Sequence, residues 1–160
     1  MIKSLRTDDC IDEVISQYSA MVYRLALSQT KNSSDADDIF QDVFLRYIKN
    51  APNFDSEEHR KAWLIRVTLN CCKNLWNSSW RKQTTELDES LAFETPEQYE
   101  LYHTICSLPK NYRAVIQLFY YEDLSIEQIS QILKAKPATV RTWLTRARGL
   151  LKEQLKGEID

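Results

Sequence analysis

Apolar residues recur at intervals of three and four along most of the chain, which is the spacing of amphipathic α-helices. The first such stretch covers residues 9–29, and the second follows Ser34, which we expect to cap it. A third stretch begins after Ser56 and continues to about residue 81. The later stretches cover residues 96–107, 110–122, 125–133 and 137–155. This pattern predicts seven helices.

Each predicted helix has an apolar stripe that should pack into a core. In the second helix the stripe consists of Ala36, Ile39, Phe40, Val43, Phe44 and Tyr47. In the third it consists of the stem of Arg60 with Trp63, Leu64, Val67, Cys71 and Leu75. In the last it consists of Val140, Leu144, Ala147, Leu151 and Leu155.

Residues 83–95 interrupt this pattern, because they show no sustained apolar period. We interpret them as a flexible linker between a domain of residues 1–82 and a second domain of residues 96–160. The chain has only two glycines and four prolines, whereas strand hairpins depend on turn glycines. The sequence therefore predicts an all-α protein with two small helical domains, a three-helix bundle and a helix-turn-helix domain.

The charges are distributed unevenly, although the net charge at pH 7 is only −2. Residues 59–82 contain six cations and no carboxylate, and residues 134–156 contain seven cations with one carboxylate, that of Glu153. Between them, residues 84–107 contain six carboxylates and neither Lys nor Arg. Because salt screens charges beyond roughly 8–10 Å, local patches decide which surfaces attract phosphate. The two basic segments are therefore candidate nucleic-acid contacts.

The sequence lacks the features of several classes of protein. It has no run of 18 apolar residues and no apolar signal core near its start, so we expect no membrane insertion and a cytoplasmic location. The four cysteines form neither a Cys-x-x-Cys pair nor a cluster with histidine. The two histidines lack metal-ligand spacing, and no glycine-rich phosphate loop is present. We therefore expect no metal, no cofactor and no enzymatic activity.

Residues 124–148 have the layout of a helix-turn-helix, with a short amphipathic helix, a tight turn and a longer basic helix. Ser125 and Gln128 have the spacing of a capping box at the start of the short helix. The basic face of the longer helix consists of Arg141, Thr142, Thr145, Arg148 and Lys152, with Arg146 at its edge. This face fits the major groove of duplex DNA, where Arg and Thr contact bases. The alternative is a solvated basic helix in an unrelated bundle.

The third helix carries a face that mixes cations with amides, which suits the backbone and base edges of a nucleic-acid strand. It consists of Arg66, Asn70, Lys73, Asn74 and Asn77. The aromatic residues nearby are Phe54, Trp63, Trp76 and Trp80. Their rings either stack on unpaired bases or, for the tryptophans, belong to the core.

The second helix carries a different outward side, which consists of Asp38, Gln41, Asp42 and Leu45. This strip is anionic and should avoid DNA. An acidic strip that contains a leucine suits a basic or helical protein partner, and the alternative is a plain solvated face.

Three segments of the chain resemble parts of one known family. Residues 35–46, Asp-Ala-Asp-Asp-Ile-Phe-Gln-Asp-Val-Phe-Leu-Arg, and residues 62–70, Ala-Trp-Leu-Ile-Arg-Val-Thr-Leu-Asn, resemble region 2 of the sigma-70 family of RNA polymerase sigma factors. Residues 108–151 are similar to region 4 of that family, and the two-domain form resembles its extracytoplasmic-function (ECF) subgroup. The resemblance implies a factor that binds core RNA polymerase and directs promoter recognition, strand opening and transcription initiation at a specific set of genes.

The resemblance also implies a role for each surface. The residues that would dock on the clamp helices of the polymerase's largest subunit are Asp38, Gln41, Asp42, Leu45 and Arg46. Those that would bind the opened −10 element are Arg60, Arg66, Asn70, Lys73 and Asn74. Those that would bind the −35 duplex are Lys136, Thr139, Arg141, Thr142, Thr145, Arg146 and Arg148. Further implied partners are the flap of the polymerase's second subunit and an anti-sigma factor, which could hold the chain near the membrane.

Trp143 departs from the family pattern, because many members carry a basic residue at that position.

Two other functions also remain open from the sequence. A helix-turn-helix regulator that binds duplex DNA without polymerase explains residues 108–155 but gives no role to Asp38, Gln41 and Asp42. A pure protein-interaction module predicts that Arg141→Ala leaves function intact.

Overall fold

The structure, a computed structural model, describes residues 2–76 and 95–159. All regular secondary structure in these residues is helical, and the chain divides into two compact units, Met1–Leu87 and Asp88–Asp160. The expected all-α fold with two helical domains is therefore confirmed. The expected linker lies outside the described residues except for Thr95, so its bounds and those of the two domains stay predictions.

Seven α-helices form in the described residues, one for each stretch that the apolar pattern predicts, although the first begins at Ile2 and not at residue 9. The N-terminal unit contains α1 (Ile2–Thr30), α2 (Ser33–Asn50) and α3 (Glu57–Trp76). The C-terminal unit contains α4 (Pro96–Cys106), α5 (Lys110–Ile116), α6 (Ile126–Leu133) and α7 (Pro137–Ile159). A π-helical turn, Gln117–Tyr121, continues α5 and replaces the last part of the α-helix that was predicted to reach residue 122.

The turn between α1 and α2 consists of Lys31, which adopts the left-handed conformation at φ 57°, and Asn32. Asn32 is extended and caps α2, because its side-chain oxygen accepts a hydrogen bond of 2.9 Å from the backbone N–H of Asp35. The prediction that Ser34 caps this helix is therefore wrong. Ser34 already lies within α2, and a capping residue needs the non-helical backbone that Asn32 has.

The first unit is a bundle in which α1 packs against both α2 and α3. Its core contains the fully buried side chains of Val22, Leu25, Leu27, Val43, Leu64 and Ile65. Each such side chain contributes roughly 1.5–3 kcal/mol by leaving water. The core thereby fixes the outward directions of α2 and α3, which carry the candidate surfaces.

The buried face of α3 differs from the predicted stripe, although Leu64 and Cys71 are buried as expected. The other members of that stripe are only partly buried, namely Arg60, Trp63, Val67 and Leu75. Ile65, Thr68 and Cys72 are buried instead. α3 contacts two helices, so its buried face is wide, and Thr68 enters it with its hydroxyl donating to the Leu64 carbonyl at 2.7 Å.

In the second unit, α7 packs against α5 and α6 through Val140, Leu144 and Ala147, as predicted. Nearer the C-terminal end of α7 the predicted stripe is no longer buried, and Leu155 is 38% exposed. The reason is length, since α7 has 23 residues whereas α6 has 8.

The buried Arg113 joins α5 to the end of α4. Its Nη1 donates to the carbonyl oxygens of Leu108, at 2.8 Å, and Cys106, at 3.3 Å. Carbonyls at the end of a helix lack hydrogen-bond donors within the helix, so the guanidinium of Arg113 serves as their donor. Burial lowers the pKa of Arg113 from its ordinary value.

Candidate protein- and DNA-binding surfaces

The outward side of α2, here called the α2 face, consists of Asp38, Gln41, Asp42, Leu45 and Arg46. All of these side chains are exposed except that of Asp42, which is partly buried. The opposite side of α2 is held in the core by Ala36, Ile39, Val43, Phe44 and Tyr47. Core packing therefore turns all five predicted docking residues outward on one helix.

Asp42 is held in place by contacts on two sides. Arg46, one helical turn later, donates from Nε to Asp42 Oδ1 at 3.2 Å. The thiol of Cys71 on α3 donates to Asp42 Oδ2 at 3.3 Å. Burial and this hydrogen bond to the carboxylate raise the pKa of Cys71 to about 12. The carboxylate of Asp42 is thus fixed in direction before any partner arrives.

The α2 face also has more apolar surface than the sequence pattern indicated. Leu45 is 52% exposed, and Ile48, three residues later, is 49% exposed. Ile48 was missed because an isoleucine in an amphipathic helix is usually assigned to the core. Carboxylates beside two exposed aliphatic side chains form a surface of the kind that packs against another protein.

The α3 face consists of Arg66, Asn70, Lys73 and Asn74, all of which are exposed. The positions are separated by four, three and one residues, so they share one side of the helix. Two cations beside two amides give donors for phosphate and donors and acceptors for base edges. Asn77 and Trp80 lie outside the described residues, as does the side chain of Trp76.

Arg60 lies near the start of α3 and does not join the α3 face. Its Nε donates to the hydroxyl of Tyr47 at 3.2 Å, and its Nη1 pairs with Glu57. Its guanidinium carbon lies 5.2 Å from the centroid of the Phe54 ring. Glu57 also accepts a hydrogen bond of 2.6 Å from Tyr18 of α1, whose pKa is raised by burial and by this contact. This cation therefore belongs to a network that joins α1, α2 and α3.

An aromatic cluster surrounds Arg60 and consists of Tyr47, Phe54, His59 and Trp63. Phe54 stacks on Tyr47 with 6.1 Å between centroids, and it meets Trp63 edge-on at 5.9 Å and His59 edge-on at 5.1 Å. Trp63 is only partly buried, so it borders the surface and not the centre of the bundle. The segment from Phe54 to Ser56 ends where Ser56 caps α3 as predicted, accepting from the His59 N–H at 3.1 Å.

The helix-turn-helix of the second unit forms as expected. Ser125 and Gln128 make the capping box of α6 with hydrogen bonds of 3.1 Å and 2.8 Å. The turn begins at Lys134, which is left-handed at φ 56°, and α7 starts at Pro137. Ile129 and Ile132 of α6 are buried, and α6 packs against α7.

The exposed side of α7, here called the α7 face, consists of Arg141, Thr142, Thr145, Arg146, Arg148 and Lys152. Lys136 is also exposed, just before the helix, whereas Thr139 is partly buried. The Thr142 hydroxyl donates to the Ala138 carbonyl at 3.0 Å, which fixes its rotamer. Trp143 is partly buried, so its ring adds to the packing of α7.

Arg148 has intramolecular partners that the sequence did not indicate. Its Nε donates to the hydroxyl of Tyr120 in the π-helical turn. Its guanidinium carbon lies 5.5 Å from the centroid of the Tyr120 ring and 5.6 Å from that of Phe119. A four-residue apolar run, Leu-Phe-Tyr-Tyr, is usually assigned to a core, so nothing in the sequence marked these rings as neighbours of α7.

Membrane-spanning helices and groups of metal ligands are both absent from the described residues. No helix in them is long and apolar enough to cross a bilayer. Within the same part of the chain, no three His, Cys, Asp or Glu side chains are grouped as metal ligands would be.

Two family models match the chain, Sigma-70 region 2 at residues 14–82 and Sigma-70 region 4 at residues 98–151. Two Bacillus subtilis proteins, the ECF RNA polymerase sigma factors SigM and SigW, are each 30% identical to it. The alignments cover 89% of this chain and 93% of SigM, and 92% of this chain and 90% of SigW. The chain belongs to the sigma-70 family of RNA polymerase sigma factors, in its ECF subgroup.

A further relative of this sigma factor agrees with that assignment. The ECF RNA polymerase sigma factor SigE of Mycolicibacterium smegmatis is 31% identical over 90% of this chain, which spans 61% of that relative's length. Region 2 of the family contains both the α2 face and the α3 face, and region 4 contains most of the α7 face.

Two solved structures share its fold. One is CnrH in complex with the cytosolic domain of CnrY, with a TM-score of 0.73 and 21% identity, covering 98% of this chain and 96% of CnrH. The other is the sigma factor RpoE of Bartonella quintana in complex with the anti-sigma factor NepR, with a TM-score of 0.72 and 18% identity, covering 91% of this chain and 96% of RpoE. At these identities the likeness shows the fold.

Proposed function

We propose that this sigma factor binds core RNA polymerase and directs it to promoters, where it opens the strands and starts transcription. The observation that carries the proposal is the separation of three chemically different surfaces onto three helices of a chain that contains both sigma regions. The α2 face is anionic and apolar, the α3 face mixes cations with amides, and the α7 face is cationic.

The α2 face docks on the clamp helices of the polymerase's largest subunit. Its carboxylates repel DNA phosphates and suit a basic protein surface, and Leu45 and Ile48 supply apolar area for a helical partner. The fixed carboxylate of Asp42 makes this contact directional. The second unit contacts the flap of the second subunit.

The α3 face holds the non-template strand of the opened −10 element, and the α7 face binds the −35 element as duplex. Unpairing a base costs a few kcal/mol, which contacts and stacking in the bound state offset. Arg60 acts from within its aromatic cluster, beside rings able to stack on an unpaired base. Polymerase tethers both domains, so two modest affinities act together.

The mechanism is binding and strand capture, without covalent chemistry by this chain, and it takes place in the cytoplasm. An anti-sigma factor covers the same surfaces when transcription of the target genes is not needed. The complexes of CnrH with CnrY and of RpoE with NepR support such a partner for this chain.

Reversing the charge of the α2 face tests the docking. In the variant Asp38→Arg with Asp42→Arg, we expect loss of polymerase binding, because two carboxylates become cations on the docking surface. Core polymerase is mixed with each variant, and the sigma factor that co-elutes in gel filtration is measured. Circular dichroism checks that the helices are retained.

The matched control is Asp12→Arg with Glu13→Arg, which makes the same change of charge at two exposed positions of α1. This control should co-elute with core polymerase as the wild type does. If the α2 variant is folded and still co-elutes with core polymerase as the wild type does, the α2 face is not the docking surface.

A further inference from the structure

The π-helical turn after α5 places two aromatic rings beside the exposed side of α7. In this turn the Glu122 N–H donates to the carbonyl of Gln117, five residues earlier, at 3.2 Å. A π-helical turn contains one residue more than an α-helical turn, so it shifts the side chains that follow. Tyr120 is consequently 50% exposed, although it lies in an otherwise apolar run.

The contacts of Tyr120 are directed at one cation of the α7 face. Tyr120 accepts a hydrogen bond from Arg148 Nε, and the guanidinium carbon lies within 6 Å of the centroids of Phe119 and Tyr120, as cation–π contacts require. The two rings meet edge-on with 5.0 Å between centroids, which supports their positions. None of these contacts neutralises the cation, because none involves a carboxylate.

Arg148 shares one stripe of α7 with Arg141, Thr145 and Lys152, since their spacings of four, three and four residues match the helical repeat. A guanidinium has five N–H donors, and a bond through Nε leaves the four on the Nη atoms. Residues at the start of a recognition helix contact bases, whereas Arg148 is the twelfth residue of α7. A phosphate of the DNA backbone is therefore the partner that its position suits.

We propose that Tyr120 is a positioning residue for DNA binding, which holds Arg148 with its Nη groups turned toward a phosphate of the −35 duplex. The proposal rests on the function proposed above for the α7 face. A long arginine side chain loses conformational freedom when it binds, and a guanidinium already fixed by two rings and a hydroxyl loses less. Tyr120 thereby strengthens the contact between Arg148 and the phosphate without touching the DNA itself.

A double-mutant cycle tests this coupling. The probe is a promoter duplex selected from random sequence with wild-type holoenzyme, and dissociation constants are measured across a range of salt concentrations. We expect Arg148→Ala to weaken binding roughly 10-fold and to reduce the salt slope by about 0.9, the loss of one phosphate contact. Tyr120→Phe should weaken binding roughly 3-fold with an unchanged slope, because the charge remains.

In the Arg148→Ala background, Tyr120→Phe should have no further effect, because the residue that it positions is gone. Tyr112→Phe, at a partly buried position of α5, is the matched control and should bind as the wild type does. Equal weakening by Tyr120→Phe in both backgrounds, or no weakening in either, overturns the positioning role.

Arg141→Ala separates this failure from that of the proposed function. If Arg141→Ala weakens binding but the effects of the Tyr120 and Arg148 substitutions are additive, only the positioning role is overturned. Unchanged binding by both Arg141→Ala and Arg148→Ala means that the α7 face does not bind the duplex, which overturns both proposals.

Discussion

The contact between Cys71 and Asp42 connects two helices through a single thiol. A thiol that donates to a carboxylate is stabilised in its neutral form, because ionisation would place two anions side by side. Burial of the thiol is the larger cause, and together the two effects raise the pKa of Cys71 to about 12. The cysteine therefore supports the α2 face and is not a reactive group.

The raised pKa predicts slow alkylation of Cys71. The thiolate is the nucleophile, and at pH 8 a pKa near 12 leaves at least about 100-fold less thiolate than an ordinary cysteine has. We expect iodoacetamide to modify Cys71 of the folded chain at least about 100-fold more slowly than in urea, as followed by peptide mass spectrometry. The rate should still rise with pH above pH 9. Equal rates in the folded and unfolded chain contradict the Asp42 contact.

Arg141 is the residue of the α7 face that we expect to contact a base. Arg141→Ala should weaken binding of holoenzyme to its promoter by about 1–3 kcal/mol, the usual effect of losing a bidentate contact with guanine. Arg141→Lys keeps the charge but loses the planar fork, so it should retain the salt dependence and lose affinity for the selected sequence. If Arg141→Lys binds that sequence as the wild type does, the residue acts by charge alone.

At the scale of the element, apolar spacing was enough to locate all seven helices of the described residues. It was not enough to orient α3, because the burial of Thr68 depends on a hydrogen bond to Leu64 that spacing does not reveal. It also failed at the start of α2, where Ser34 and Asn32 are both good capping residues. The left-handed conformation of Lys31 decides between them, and it is a property of the turn.

The corrected cap makes a prediction about stability. Asn32→Ala should lower the free energy of unfolding by about 1 kcal/mol, because the Asp35 N–H loses its partner. Ser34→Ala, the matched control on an exposed position inside α2, should change it by less than about 0.5 kcal/mol. Urea unfolding followed by circular dichroism measures both, and a larger effect of Ser34→Ala contradicts the assignment of Asn32.

The candidate surfaces were predictable to different degrees. The α2 and α7 faces were predicted almost completely, because exposed positions on an amphipathic helix follow from the apolar stripe opposite them. Ile48 was missed because an apolar residue of an amphipathic helix is expected to be buried, whereas Ile48 is exposed. The partners of Arg148 were missed because a π-helical turn has no sequence signature. The stem of Arg60 was predicted to lie in the inward stripe of α3, and Arg60 is partly buried there, but its contacts with Phe54 of the preceding loop and Tyr47 of α2 do not follow from helical spacing.

At the scale of the whole molecule, the distribution of charged residues among the helices matters more than the net charge. The chain carries a net charge of −2, yet its carboxylates on α2 and its cations on α3 and α7 are presented by different helices. One chain could therefore bind a protein surface through α2 without repelling the DNA that, in the function proposed above, contacts α3 and α7. Such a division of surfaces suits a factor that acts only when bound to polymerase.

Run-off transcription with purified core polymerase tests that claim most directly. Genomic fragments serve as templates, with and without this chain, and the start sites of the transcripts are mapped. We expect discrete start sites that appear only when the chain is present, because the proposed promoter selection requires the chain to be bound to polymerase and to contact DNA through its α3 and α7 faces. An identical set of transcripts with and without the chain, at concentrations that saturate the polymerase, contradicts the proposed function.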